Sequence, residues 1–155
     1  MAVKPIARIL VPVDFSPSSR RVAELAAQLA AALGAEVHLL HAWQGPNLDA
    51  DLEAWWESLR PEERTASLIS YVTEQEQGPL NELAVAVRRV GVKNVTTVLA
   101  RGKPAAVVLE QARGFDLVVM GEHGRAGVMG RVSASLAERV ARQCPVPILL
   151  VPLAE

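Results

Sequence analysis

Apolar positions along the chain switch between two periods. Ile6–Val13 is a short apolar, β-branched run, as expected of a strand covered on both faces. Ser16 and Pro17 follow as an N-cap and a first-turn proline. Val22, Leu25, Ala26, Leu29 and Leu33 then keep the i, i+3, i+4, i+7 spacing of a helix, which Gly34 ends. Glu36–Ala42 predicts a second strand and Asn94–Ala100 a third, the latter preceded by a helix spaced on Leu80, Leu83, Ala84 and Val87. A short helix follows Lys103-Pro104, with Ala105, Val108, Leu109 and Ala112 on one face. Phe115–Met120 predicts a fourth strand. Leu136, Ala137, Val140, Ala141 and Cys144 line one side of a last helix, and Pro147–Val151 is a fifth strand.

Strands alternating with helices predict βαβ units and right-handed crossovers. The expected fold class is α/β: a doubly wound, five-stranded, mostly parallel sheet with helices on both faces, Rossmann-like. One stretch breaks the alternation. Gln44 to Arg60 carries Gly45-Pro46, four acids and the Trp55-Trp56 pair. The helix after it starts at Pro61, with a kink or a second helix expected at Gly78-Pro79. The chain thus reads as a single domain, residues 1–155, with a variable insertion at about 44–78.

Length and composition narrow the class. A chain of 155 residues, half of them apolar and 21% charged, buries a core without disulfides. Sixteen basic residues against seventeen acidic ones leave a net charge of -1, which points away from nucleic acid as a partner. The longest charge-free stretches are twelve residues, too short for a bilayer. The amino-terminal apolar run is short and ends in Asp14, unlike a secretory signal. With one cysteine, Cys144, these features predict a cytoplasmic protein with no membrane partner.

In open α/β sheets ligands sit beyond the carboxyl ends of the strands, at the switch point. The loops to inspect follow Val13, Ala42, Ala100 and Met120. After Met120 glycines fall at 121, 124, 127 and 130, with Arg125 and Arg131 among them, and a helix is expected to begin near Ser133–Ser135. Positive-φ freedom, unpaired amides and the helix dipole suit such a loop to an anion, although a plain flexible loop with an N-cap fits the same spacing. The spacing is neither a Walker A loop nor G-x-G-x-x-G. His38, His41 and His123 lack zinc-type spacing. His41 reads as a core histidine, Asp14 as a ligand contact or a turn residue, and Cys144 as a small buried hydrophobe. Trp43, Trp55 and Trp56 read equally as a binding surface or as staples on a long connection.

V-P-V-D-F-S near the start, L-L-H-A at the second strand, R-G-K-P-A, V-V-M-G-E-H-G-R-A-G and the closing P-V-P-I-L-L-V-P together resemble the universal stress protein family. The resemblance implies dimers formed through the last strand and, in the ATP-binding branch, G-x-x-G, nine residues, then G-S or G-T. Gly121 and Gly124 match the first pair, and Ala134-Ser135 stands where Gly-Ser is expected. Carried over, the resemblance implies that Pro12, Val13 and Asp14 line the adenosine side and that Ala42 offers backbone to adenine. Met120, Gly121 and Gly124 would lie under ribose and phosphates, and Ala134, Ser135 and Leu136 would bind phosphates. The implied ligand is ATP, alone or with Mg2+, or a related adenine nucleotide. The implied role is stress response or regulation as a homodimer. A protein that works by protein contact without nucleotide, and a slow ATPase, are the alternatives. No base or nucleophile stands out near the expected phosphates, which favours binding over catalysis.

Overall fold

The computed structural model describes residues 3–45, 50–122 and 135–153. Five strands, β1 (Arg8–Pro12), β2 (Glu36–Trp43), β3 (Val95–Arg101), β4 (Leu117–Glu122) and β5 (Ile148–Pro152), form one parallel sheet in the order β3-β2-β1-β4-β5. Helix α1 (Ser19–Leu33) connects β1 to β2. The next connection carries α2 (Ala50–Ser58), α3 (Pro61–Tyr71), a π-helical turn at Val72–Gln77 and α4 (Gly78–Val90). Helix α5 (Pro104–Ala112) joins β3 to β4, and α6 (Leu136–Gln143) precedes β5. This is the α/β, Rossmann-like architecture expected from the alternation.

Successive strand residues face opposite sides of the sheet, so each strand feeds two cores. Ile9, Val11, Val37, Leu39 and Val119 face one side, under Val22, Ala23, Ala26, Ala27 and Ala30 of α1 and Leu80, Ala84 and Val87 of α4. Leu10, Leu40, Val118 and Met120 face the other, under Val107 and Val108 of α5 and Ala137 and Val140 of α6. Alanines along α1 leave no bulk between helix and sheet. Cys144 is half-buried against the second core rather than fully enclosed. Gly34 closes α1 at φ +67°, a conformation that costs a side-chain-bearing residue about 1–2 kcal/mol.

Two helix boundaries differ from expectation. Helix α1 begins at Ser19, not after Ser16. Phe15 lies in the left-handed region at φ +62°, and Ser19 N–H donates to the Ser16 carbonyl, so a turn occupies the expected first helical residues. The second helix, α4, begins at Gly78 as expected, but α3 already ends at Tyr71 and the π-turn at Val72–Gln77 fills the space between them. Pro79 has no N–H for the carbonyl four residues back, and Gly78 N–H reaches the Thr73 carbonyl five residues back.

The amino-terminal end of the sheet is held by ionic contacts. Arg8 Nε donates to Glu36 Oε1 at 2.8 Å, Arg8 Nη1 donates to the Gly114 carbonyl at 2.6 Å, and the guanidinium lies over the Phe115 ring at 4.7 Å. His38 sits 2.9 Å from the same Glu36 oxygen and packs edge-on against Phe115. The hydrogen bond from His38, then that from Arg8, holds the Glu36 carboxyl below its ordinary range. Asp116 pairs with Lys4 Nζ at 2.7 Å and accepts the Ala7 and Arg8 amides at 3.0 Å. The Lys4 hydrogen bond is the main cause, with the Ala7 amide next, of an Asp116 pKa lowered from 3.8 to about 2.

A carboxyl with a lowered folded-state pKa stabilises the fold above its unfolded pKa and loses that contribution as pH falls toward the folded value. The stability deficit of Asp116→Asn against the unsubstituted protein should therefore be full at pH 6 and shrink between about pH 4 and 2. Urea unfolding across that range checks it; a deficit independent of pH would show that charge on Asp116 contributes nothing.

Candidate functional site: a cleft at the strand switch point

The chain leaves β1 toward β2 on one side of the sheet and later returns to β4 on the other. β1 pairs with β2 from Arg8–Glu36 through Pro12–Leu40, but with β4 only at Ile9–Leu117 and Leu10–Val118. Val13 N–H continues along β2, donating to the Leu40 carbonyl at 2.8 Å. β4 in turn stays with β5 through Glu122–Pro152. The two central strands therefore part before their carboxyl ends, and a cleft enclosing about 170 Å³ opens between them.

Pro12, Val13 and Asp14 form one wall of the cleft, at the end of β1. Ala42 and His41 come from β2, Met120 and Gly121 from β4, and Ser135 and Leu136 from the start of α6. The fold thus gathers eight of the ten residues singled out from the sequence, drawn from four separate elements. The other two, Gly124 and Ala134, lie outside the described residues, as do His123, Arg125 and Arg131.

The turn after β1 is closely tied. Asp14 Oδ1 accepts from Ser16 N–H at 3.0 Å and from Ser19 Oγ at 2.8 Å, while Ser19 Oγ accepts the Asp14 amide at 3.3 Å. Asp14 is thus the turn residue that one sequence reading foresaw, and it also borders the cleft. His41 is partly buried, as a core histidine should be, but both ring nitrogens are engaged. Nδ1 lies 2.8 Å from the Val13 carbonyl and Nε2 lies 2.8 Å from Glu76 Oε2. The Phe15 ring rests on the imidazole, centroids 4.0 Å apart.

Ser135 caps α6: its hydroxyl accepts the Glu138 amide at 3.1 Å. Gly121 has a packing reason to be glycine. A Cβ there would stand 2.7 Å from Leu153 Cδ1 and 3.0 Å from Val22 Cγ2. Leu153, which follows β5, closes the cleft floor beside it, with its amide donating to the Glu122 carbonyl at 3.0 Å.

The profile of the universal stress protein family matches residues 5–152. The chain belongs to the universal stress protein family. A universal stress protein of Mycobacterium tuberculosis is 32% identical over 152 residues, covering 94% of this chain and 44% of that protein. One of Methanocaldococcus jannaschii is 30% identical over 148 residues, covering 93% of this chain and 81% of the relative. The chain spans less than half the length of the mycobacterial relatives it matches. Among solved structures, a universal stress protein in complex with cAMP superposes with a TM-score of 0.73 at 22% identity, over 97% of this chain and all of that one. The universal stress protein from Archaeoglobus fulgidus in complex with dAMP gives 0.61 at 19% identity, over 93% of this chain and 96% of that one.

Within this universal stress protein fold, sequence reasoning missed the cleft contributions of Ser19, Val22, Pro104, Val108 and Leu153. Val22 reads as a helix-face residue, and nothing local marks which helix end faces the switch point. It also missed Glu76, which belongs to an irregular turn. Among the described residues no group of three His, Cys, Asp or Glu side chains is placed to hold a metal ion. No helix there is long and apolar enough to cross a membrane.

Ser19 is the buried anchor of the Asp14 turn. Ser19→Ala removes a hydrogen bond to a carboxylate and should lower unfolding free energy by about 1.5–3 kcal/mol. Urea denaturation measures this; an unshifted midpoint would mean that the turn holds without it.

Proposed function

We propose that this universal stress protein binds ATP or a related adenine nucleotide in the β1/β4 cleft and acts as a regulatory dimer in stress response, without turning the nucleotide over. The observation that carries the reading is the convergence of Asp14, Ala42, Met120, Gly121, Ser135 and Leu136 on one cleft at the strand switch point. Related folds solved with cAMP and with dAMP support an adenine ligand.

The physical fit is partial and specific. The enclosed volume of about 170 Å³ suits a flat ring system rather than a whole nucleotide. Leu40, Ala42, Val108 and Met120 offer apolar surface for such a ring, and the Ala42 backbone reads its edge. Asp14, at the mouth, hydrogen-bonds base or ribose. The phosphates then extend over Gly121 toward the start of α6, where helix-terminal amides and the positive end of the dipole favour anions. Ser135 keeps its hydroxyl proton for a phosphate oxygen while its oxygen caps the helix. Neither Asp14 nor His41 is free to act as a base: both are bound into the turn. That arrangement favours retention of the nucleotide over hydrolysis.

Calorimetric titration with ATP, with and without Mg2+, and with AMP, cAMP and GTP as comparisons, tests the proposal. Saturable binding of an adenine nucleotide that GTP does not match is the expected result. Absence of binding by every adenine nucleotide would overturn it in favour of a protein-contact role. Phosphate release from ATP above background would make the protein a slow ATPase.

The dimer is proposed through β5. This strand stands at the sheet edge, and Leu149 is 42% exposed on it. An apolar edge strand pairs readily with a copy of itself across a twofold axis. Sedimentation should show a dimer at micromolar concentration, and Leu149→Lys should shift it toward monomer or aggregate. A wild-type profile of monomer alone would refute the interface.

A further inference from the structure

The π-helical turn between α3 and α4 has a consequence at the cleft. π-Turns within helices are rare and concentrate at functional sites. Here the turn faces two consecutive side chains inward. Gln77 Nε2 donates to Thr97 Oγ1 of β3 at 3.2 Å and to Asn81 Oδ1 at 2.7 Å, which ties the turn to the sheet. Glu76, beside it, is 13% exposed and places Oε2 2.8 Å from His41 Nε2.

His41 carries the contact onward. A carbonyl oxygen only accepts, so Nδ1 donates to the Val13 carbonyl, while Nε2 lies 2.8 Å from Oε2 of the buried Glu76 carboxyl, an ion-pair contact. The imidazole is thereby fixed in plane and tilt, and the Phe15 ring stacks on it at 31°. Phe15 is the described non-glycine residue with positive φ, a conformation costing about 1–3 kcal/mol that persists only where surroundings hold it. Asp14 lies between the two contacts, flanked by Val13 and Phe15.

We propose that Glu76 is a positioning residue for the nucleotide cleft, acting through His41 to hold the Val13–Phe15 turn and so aim Asp14 at an adenine nucleotide. The proposal rests on the nucleotide reading above. Glu76 itself does not line the cleft; His41 does.

Titration of the full chain with ATP and AMP, for wild type and variants, tests it. Glu76→Ala should weaken binding about tenfold while the protein remains folded. Glu76→Gln should stay within about threefold of wild type, because an amide of the same size can donate to Nε2 from the same place. Glu74→Ala, in the same turn but exposed, should change nothing. His41→Phe keeps a ring beneath Phe15 without hydrogen bonds and should lose as much as Glu76→Ala. The double variant Glu76→Ala/His41→Phe should be no worse than His41→Phe alone, since one residue acts through the other. Should Glu76→Ala fail to fold, Glu76→Met, similar in volume and lacking an acceptor, carries the same expected loss. Wild-type affinity in a folded Glu76→Ala protein, no rescue by glutamine, or additive losses in the double variant would each overturn this inference and leave the nucleotide reading standing. Failure of the wild type itself to bind any adenine nucleotide would overturn both.

Discussion

The parting of β1 from β4 after Leu10–Val118 governs the rest of the molecule. A parallel sheet needs crossovers, and right-handed crossovers that wind outward in both directions from the centre leave the two middle strands without a connection between them. β1 follows β2, β4 follows β5, and the gap between them has no side chains of its own to fill it. The two cores are packed tightly up to that line, with Ile9, Leu10, Val118 and Val119 inaccessible to solvent. The cleft is therefore a product of topology, lined by strand ends that are already rigid.

Rigid strand ends place backbone well, but a side chain in the following loop needs its own support. Asp14 obtains it from two directions. Ser19, buried at the first turn of α1, grips the carboxylate from one side. His41, itself held between the Val13 carbonyl and Glu76, braces the turn from the other. The left-handed Phe15 is the cost of bending the chain between those supports, and its ring recovers part of that cost by stacking on the imidazole. A cleft mouth built in this way is preorganised before a ligand arrives, which reduces the ordering that binding would otherwise require.

Charge is distributed along the sheet axis in a complementary way. The ionic contacts of Lys4, Arg8, Glu36, His38 and Asp116 gather at the amino-terminal ends of the strands, away from the cleft. There they join the start of β1 to the loop before β4, where ladder pairing between these two strands begins. Partly exposed pairs of this kind add little each, yet Asp116 accepts two backbone amides as well as Lys4 and so couples backbone to charge. At the cleft, by contrast, the described walls are mainly apolar.

The order of elements was legible in the residues because it depends on local periodicity. Each of the five strands was placed to within two residues at either end, since apolar β-branched runs bounded by turns have few other solutions. The switch-point rule then indicated the loops after β1 and β4 without any knowledge of contacts. Family motifs named the residues that the fold gathers into one cleft, apart from those in the glycine loop. What local pattern could not determine were features that depend on partners distant in the chain. The start of α1 was misplaced because Asp14 competes for Ser16 and Ser19, a contest invisible to spacing alone. The start of α4 at Gly78 was foreseen, but the π-turn ahead of it was not, because Pro79 shifts hydrogen bonding upstream of itself. Glu76 carried no signal at all: it is one acid in a polar stretch, and only the packing of the turn against the sheet places its carboxyl 2.8 Å from a histidine thirty-five residues earlier in the chain. Sequence determined the elements and their order through nearest-neighbour chemistry, and tertiary structure decided which side chains meet at the cleft, because that depends on how separate elements pack.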